Sequence, residues 1–193
     1  MRIGFFGGSF NPPTIAHIDL AKLAIEKCNL DKLYFVPVND KYKKNGLISF
    51  SDRKEMLKIA TKNESKIYVS DIEEKIEKQI YAIDIFEIIK EKYSDDEIYF
   101  IMGMDNFKKI SSWKEYEKLK KYKYIVFERN ESDESLEINI NDVKEAIFIL
   151  SKNTNKISSS KVRRLIQENG NLSEFIDKDV EKYIINKNLY KNK

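Results

Sequence analysis

Short apolar runs and segments of helical period alternate along this chain, and that alternation restricts the fold more than any other feature. Ile3–Phe6, Leu33–Val36, Ile67–Val69, Ile98–Met102 and Tyr124–Phe127 are brief, apolar and bounded by polar or turn residues, as buried strands are. Between them, Ile15–Cys28, Ser51–Thr61 and Ile80–Tyr93 carry apolar residues at helical spacing, such as Ile18, Ala21, Leu23 and Ile25, or Ile80, Ile83, Ile85, Phe86 and Ile89. Strand and helix in alternation imply right-handed βαβ crossovers, hence an α/β, Rossmann-like, doubly wound parallel sheet with helices on both faces. A ligand of such a sheet sits beyond the carboxyl ends of its strands. Ser111–Lys121 predicts an extra helix, Glu128–Ile140 a polar connection and Glu145–Leu150 a sixth strand. Ser159–Glu168 and Asp179–Asn186 predict terminal helices, the first opening on serines and stopping at Asn169-Gly170. The part from about 157 to 193 therefore reads as helical, and residues 1–193, with no repeat or low-complexity linker, read as a single domain.

Composition narrows the classes. The 193 residues include 35 Lys+Arg and 32 Asp+Glu, for a net charge of +3, and 41% are hydrophobic, which supports a core and excludes wholesale disorder. Lysines interleave with glutamates as on a solvated face, so nucleic acid is not an expected partner. Cys28 is the only cysteine and His17 the only histidine, which leaves no intrachain disulfide, Cys-based zinc site or His-rich metal site. No apolar stretch approaches the roughly 18 to 20 residues of a membrane span, and residues 1–6 lack a signal-peptide pattern. The expectation is a cytoplasmic protein without membrane partners, whose oligomeric state the sequence leaves open.

The chain has 6 glycines and 3 prolines, yet Gly4, Gly7, Gly8, Pro12 and Pro13 all precede Thr14. The segment Gly7-Gly8-Ser9-Phe10-Asn11-Pro12-Pro13-Thr14 joins the first strand to the first helix, where glycines let a ligand approach bare N–H groups at a helix N-terminus. Loop sterics alone also explain glycines in such a turn. Thr14 and His17, at i and i+3, share one face of the first helical turn beside this loop. Neither G-x-x-x-x-G-K-[ST] nor G-x-G-x-x-G is present, which disfavours P-loop hydrolysis and dinucleotide-dependent dehydrogenation. Near the other end, Ile157-Ser158-Ser159-Ser160-Lys161-Val162-Arg163 opens a helix with hydroxyls followed by cations. Serines there serve as caps, or together with Arg163 as ligands for polyphosphate oxygens.

Taken together, the run from Gly7 to His17 and the run from Ile157 to Arg163 resemble the paired signatures of the nucleotidyltransferase superfamily. Within it the chain is most similar to the bacterial nicotinate mononucleotide adenylyltransferases, because Asp52-Arg53-Lys54-Glu55-Met56-Leu57, Met102-Gly103-Met104-Asp105, Trp113 and the closing Tyr183–Tyr190 fall in the expected order. The resemblance implies that Gly7, Gly8, Ser9, Phe10, Thr14 and His17 bind ATP, with Gly103 and Asp105 as further nucleotide contacts. Ile157, Ser158, Ser159, Ser160 and Arg163 then grip the triphosphate from the other side. It implies an acceptor site at Asn11, Ala82, Trp113 and Lys114, with Trp113 stacked on a pyridine ring, and Lys44 as the lysine of a loop over the phosphates.

Several positions differ from the bacterial pattern. Thr14 replaces a histidine and Ala16 a glycine, and the Gly-Ser-Phe-Asn-Pro and Thr-x-x-His forms here resemble the eukaryotic nicotinamide mononucleotide enzymes. Ala82 replaces a threonine, Lys114 a tyrosine, and Lys41-Tyr42-Lys43-Lys44 a Pro-Pro-His-Lys loop. The implied reaction is attack of a pyridine mononucleotide, nicotinate or nicotinamide, on the α-phosphorus of ATP. His17, Lys44 and Arg163 supply positive charge, and Mg²⁺ is carried by ATP rather than by a protein metal site. An ionised phosphate nucleophile needs no general base. The alternatives are a phosphopantetheine-type or other small-phosphate adenylyltransferase, and a non-catalytic nucleotide-binding regulator.

Overall fold

A computed structural model describes residues 1–128, 143–151 and 157–191. Its strands are β1 (Arg2–Gly8), β2 (Lys32–Pro37), β3 (Ile67–Val69), β4 (Glu97–Gly103), β5 (Lys123–Glu128) and β6 (Glu145–Leu150). All five strand pairings are parallel and the order is β3-β2-β1-β4-β5-β6. The chain therefore builds outward from β1 in one direction, then returns to its other side at β4. That reversal opens a crevice at the carboxyl ends of β1 and β4, where Gly7-Gly8 and Gly103 lie. The expected polar connection falls, apart from Glu128, outside the described residues.

The strand pleat explains why these runs are apolar throughout. Successive side chains point to opposite faces, and both faces are covered. Phe5, Phe100, Met102, Tyr124 and Val126 pack under α3 (Ala82–Lys92), where Phe86 stacks on Phe100. Phe6, Phe35, Ile101, Ile125 and Phe127 pack under α1 (Ile15–Lys27) and α2 (Phe50–Thr61), against Ile18, Ala21, Ala24 and Leu57. The Ser49 side chain caps α2 by accepting from Asp52 N–H at 3.1 Å.

The expected helix over Ser111–Lys121 is broken. Short helix α4 (Met104–Phe107) precedes it, a 3₁₀ turn at Ile110–Ser112 overlaps its start, and only α5 (Tyr116–Leu119) lies within its second half. Trp113 is extended (φ −77°, ψ 150°) and Glu115 is left-handed (φ 55°), so helical hydrogen bonding cannot continue through them. This break turns Trp113 and Lys114 into the crevice.

Beyond the sheet, α6 (Ser159–Gln167) and α7 (Lys178–Asn186) pack on the outer side of α2, in a cluster of Met56, Val162, Ile166, Leu172, Ile176, Val180 and Ile184. Asn169 (φ 52°) rather than Gly170 adopts the left-handed turn that ends α6, and Gly170 N–H donates to Leu165 O at 2.8 Å. Among the described residues no helix is long and apolar enough to cross a membrane. Because α6 depends on this cluster, Ile184→Ala, at a position 1% exposed, should lower unfolding free energy by about 2–4 kcal/mol in urea titrations.

Candidate active site

The loop after β1 is shaped by Phe10. Its φ of 44° turns the ring inward, where it is 2% exposed and packs edge-on to Phe35 and His17 at 5.0 and 5.2 Å between centroids. The ring lies so close to Gly8 that a Cβ there would approach its Cζ to 2.9 Å, whereas a Cβ on Gly7 would meet nothing within 4 Å. Gly8 thus admits the ring, and Gly7 leaves open space on the crevice side. At the start of α1, the Nδ1 of His17 accepts from Thr14 N–H at 3.0 Å and lies 2.7 Å from Thr14 Oγ1. An amide can only donate, so Nδ1 carries the lone pair and the proton of the neutral ring is on Nε2. His17 is held as a donor.

From α6, Ser159 Oγ donates to Pro12 O at 2.7 Å, and Arg163 Nη1 donates to Asn11 O at 2.7 Å while its Nη2 reaches Ser160 Oγ at 3.1 Å. Ser158 is the cap, accepting from Lys161 N–H at 3.2 Å. The two signatures therefore meet. Lys44 joins them from the loop after β2, its Nζ donating to Ser9 Oγ at 2.9 Å. Arg53, fully buried on α2, donates to Ile48 O, Ser9 O and Asp40 Oδ1 at 2.9, 3.1 and 3.1 Å.

Three cations thus surround one loop. Burial first, and then the charges of Arg163 and Arg53, hold the Lys44 ammonium below the ordinary lysine range. Burial likewise pulls Arg53 down, against the upward pull of Asp40. Among the described residues neither Lys44 nor Arg163 pairs with a carboxylate. A polyanion placed between them would relieve this repulsion.

Across the crevice lies a cavity of about 690 Å³. Gly7, Gly8, Ser9 and Lys44 line its loop side, and Ala82, at the first position of α3, lines the far side with Tyr81, Trp113 and Lys114. The Lys114 ammonium sits over the Tyr81 ring, 4.4 Å from its centroid. Among the lining residues Glu73 is the only carboxylate, against Lys44, Lys109 and Lys114. Glu73 is 6% exposed and accepts from Asn39 N–H at 2.8 Å. Burial pushes its carboxyl up to about 7, in spite of the Asn39 hydrogen bond and the nearby charge of Arg53.

A family model described as Cytidylyltransferase-like matches residues 5–165. Over 192 residues the chain is 36% identical to a probable nicotinate-nucleotide adenylyltransferase from Hydrogenobaculum sp., covering 98% of each. The fold matches Plasmodium falciparum nicotinic acid mononucleotide adenylyltransferase complexed with NaAD at a TM-score of 0.86 and 27% identity, covering 98% of this chain and 97% of that one. Against the same protein complexed with APC the TM-score is 0.83 at 26% identity, covering 98% of this chain and 96% of that chain. The chain belongs to the nicotinate-nucleotide adenylyltransferase family.

For a member of this family, the expected site residues separate into groups. Gly7, Gly8, Ser9, Lys44, Ala82, Trp113 and Lys114 line the cavity, whereas Thr14, His17, Ser158, Ser159, Ser160 and Arg163 gather around the loop at its flank. Gly103 closes β4, and the exposed Asp105 follows it on α4. Ile157 immediately precedes the cap of α6. Two residues are placed differently from expectation. Phe10 has its ring in the core, and Asn11, expected at the acceptor, is 0% exposed with its side chain bonded to Gly46 O, Ile48 N–H and Tyr190 OH.

Sequence reasoning gave no site role to Arg53, Glu73 or Tyr190. Arg53 and Tyr190 fall inside blocks that carried the family resemblance, while nothing in the local sequence distinguishes Glu73 from its acidic neighbours.

The raised carboxyl of Glu73 has a definite sign in stability. Between its ordinary unfolded value and about 7 the folded protein binds more protons than the unfolded chain, so rising pH through that window costs stability. Glu73→Gln keeps an acceptor for Asn39 N–H and carries no charge. Melting temperatures of variant and parent should be similar at pH 5, and the variant should be a few degrees higher at pH 8.

Proposed function

We propose that this protein transfers the AMP of ATP to nicotinate mononucleotide, forming deamido-NAD and pyrophosphate in NAD biosynthesis. The observation that carries the reading is the convergence of Lys44, Arg163 and Arg53 on the loop after β1, beside a cavity containing Trp113. A triphosphate answers the cations, and a planar ring answers the indole. Both lie at the reversal of strand order, where a doubly wound sheet binds nucleotides.

A phosphate oxygen of the mononucleotide attacks the α-phosphorus in line, a new P–O bond forms, and the bond to the β-phosphate oxygen breaks with its electron pair leaving on pyrophosphate. The nucleophile is already ionised, so the protein aligns the two nucleotides and stabilises charge. His17, fixed as an Nε2–H donor by Thr14, serves a phosphate oxygen. Arg163 and Lys44 serve the departing pyrophosphate, and Ser159 and Ser160 shape the start of α6 around it. Among the described residues no group of three or more His, Cys, Asp or Glu is placed to hold a metal, and the donors around the loop are N–H and ammonium groups that suit phosphate oxygens. Mg²⁺ would come with ATP as part of the substrate and would offset part of the phosphate charge.

On the acceptor side, Trp113 stacks on the pyridine ring. Ala82 brings no hydroxyl to the ring substituent, and the Lys114 ammonium, without a carboxylate partner among the described residues, supplies attraction for a ring carboxylate. This favours nicotinate over nicotinamide. The reading treats residues 1–193 as one working domain and the protein as cytoplasmic, with ATP and the mononucleotide as its partners and neither nucleic acid nor membrane among them.

The direct test is pyrophosphate release with Mg-ATP and, separately, nicotinate mononucleotide, nicotinamide mononucleotide and phosphopantetheine. Turnover is expected with the first. Turnover with phosphopantetheine alone, or ATP binding without turnover on any acceptor, would replace this reading with the corresponding alternative. Arg163→Ala should reduce kcat by about 10²-fold or more, equivalent to about 2.7 kcal/mol of transition-state stabilisation. Lys114→Met should lower kcat/KM for nicotinate mononucleotide by about tenfold and leave that for nicotinamide mononucleotide within about twofold, read from initial rates.

A further inference from the structure

Asn11 is 0% exposed, and the groups that bond to it belong to three separate parts of the chain. Its Nδ2 donates to Gly46 O at 2.8 Å and its Oδ1 accepts from Ile48 N–H at 3.3 Å, so one amide grips the backbone on both sides of Leu47. Its carbonyl receives Arg163 Nη1. The remaining bond comes from the segment after α7, where Tyr190 OH donates to Asn11 Oδ1 at 2.9 Å. Tyr190 reaches this point with a φ of 63°, a left-handed conformation that is costly for a tyrosine and persists only where its surroundings impose it.

The gripped segment is the one that carries Lys44. Leu47 N–H donates to Lys44 O at 3.3 Å, closing a turn between the lysine and the clamped backbone, and Arg53 Nε holds Ile48 O from below at 2.9 Å. Lys44 then extends to Ser9 in the phosphate loop. Its ammonium is repelled by Arg163 and Arg53, so something other than charge must keep it there before a nucleotide binds. We infer that Tyr190 is a positioning residue for nucleotidyl transfer: through the amide of Asn11 its hydroxyl fixes the Gly46–Ile48 backbone and thereby presents Lys44 to the polyphosphate. The catalytic part of this inference rests on the proposed function, whereas the mechanical part does not.

Tyr183 provides an internal control. Its hydroxyl also ties α7 to the body of the protein, donating to Asp52 Oδ1 at 2.9 Å, but it has no bond to the Lys44 loop. In Tyr190→Phe, kcat with Mg-ATP and nicotinate mononucleotide should fall about tenfold or more while the acceptor KM stays within about twofold. Amide exchange over residues 44–48 of the ligand-free protein should accelerate. Tyr183→Phe should lose comparable melting temperature yet keep kcat and loop exchange close to the parent values. Unchanged kcat and unchanged exchange in Tyr190→Phe would overturn the inference, as would an equal loss of kcat in Tyr183→Phe. If the parent protein turned over none of the acceptors, the functional reading would fail by itself, and exchange over 44–48 would still decide whether Tyr190 holds the loop.

Discussion

Two backbone carbonyls, those of Asn11 and Pro12, hold the site together. They accept from Arg163 and Ser159, residues 152 and 147 positions away, and so draw the start of α6 onto the loop that follows β1. Without these bonds the second signature would be a capped helix on the outside of α2. With them, Arg163 comes near enough for its charge to help hold the Lys44 ammonium below the ordinary lysine range. Assembling like charges is unfavourable, and here the apolar cluster joining α2, α6 and α7 keeps the elements docked in spite of it. The resulting loop gathers positive charge, which under the proposed function is answered by a triphosphate.

The sheet accounts for why this loop faces a cavity. Reversal of strand order between β1 and β4 separates the helices that cover each face and leaves the carboxyl ends of both strands uncovered. One wall of the crevice is the phosphate loop. The other is the start of α3 and the broken segment containing Trp113 and Lys114, which meet where Lys114 lies over Tyr81. Relative to the bacterial pattern, a hydroxyl is lost at Ala82 and a charge is gained at Lys114, and the two changes face the same volume. Under the proposed function, selectivity for the ring substituent therefore leans on electrostatics. Glu73 counters part of that positive charge only when ionised, and burial keeps it close to the balance point near neutrality.

Local physics made much of this readable in advance. The alternation of strand and helix, the glycine-rich turn, the serine cap of α6 and the i, i+3 pairing of Thr14 with His17 depend on neighbours within a few residues, and periodicity or turn chemistry reports them directly. Two strand runs, Ile67–Val69 and Glu145–Leu150, needed nothing added, and the other four needed one or two residues at each end. The helix expected over Ser111–Lys121 is interrupted rather than continuous: Trp113 and Glu115 take extended and left-handed conformations that no local signal announces.

By itself, then, the sequence determined the α/β class, the position of the phosphate-binding turn, the candidate cations and the family that their pattern resembles. Tertiary structure alone decided what each side chain does there. Asn11 and Phe10 sit in the middle of the most recognisable motif, yet one became a clamp on Gly46 and Ile48 and the other a core ring, because partners far away in the chain claimed them. Arg53 looks like any helical arginine until burial and carbonyls from two loops enclose it, and Tyr190 looks like any aromatic until its hydroxyl meets Asn11. Hydrogen bonds of this kind are fixed by where the packed elements bring their donors and acceptors, and a residue type with its neighbours does not encode that meeting.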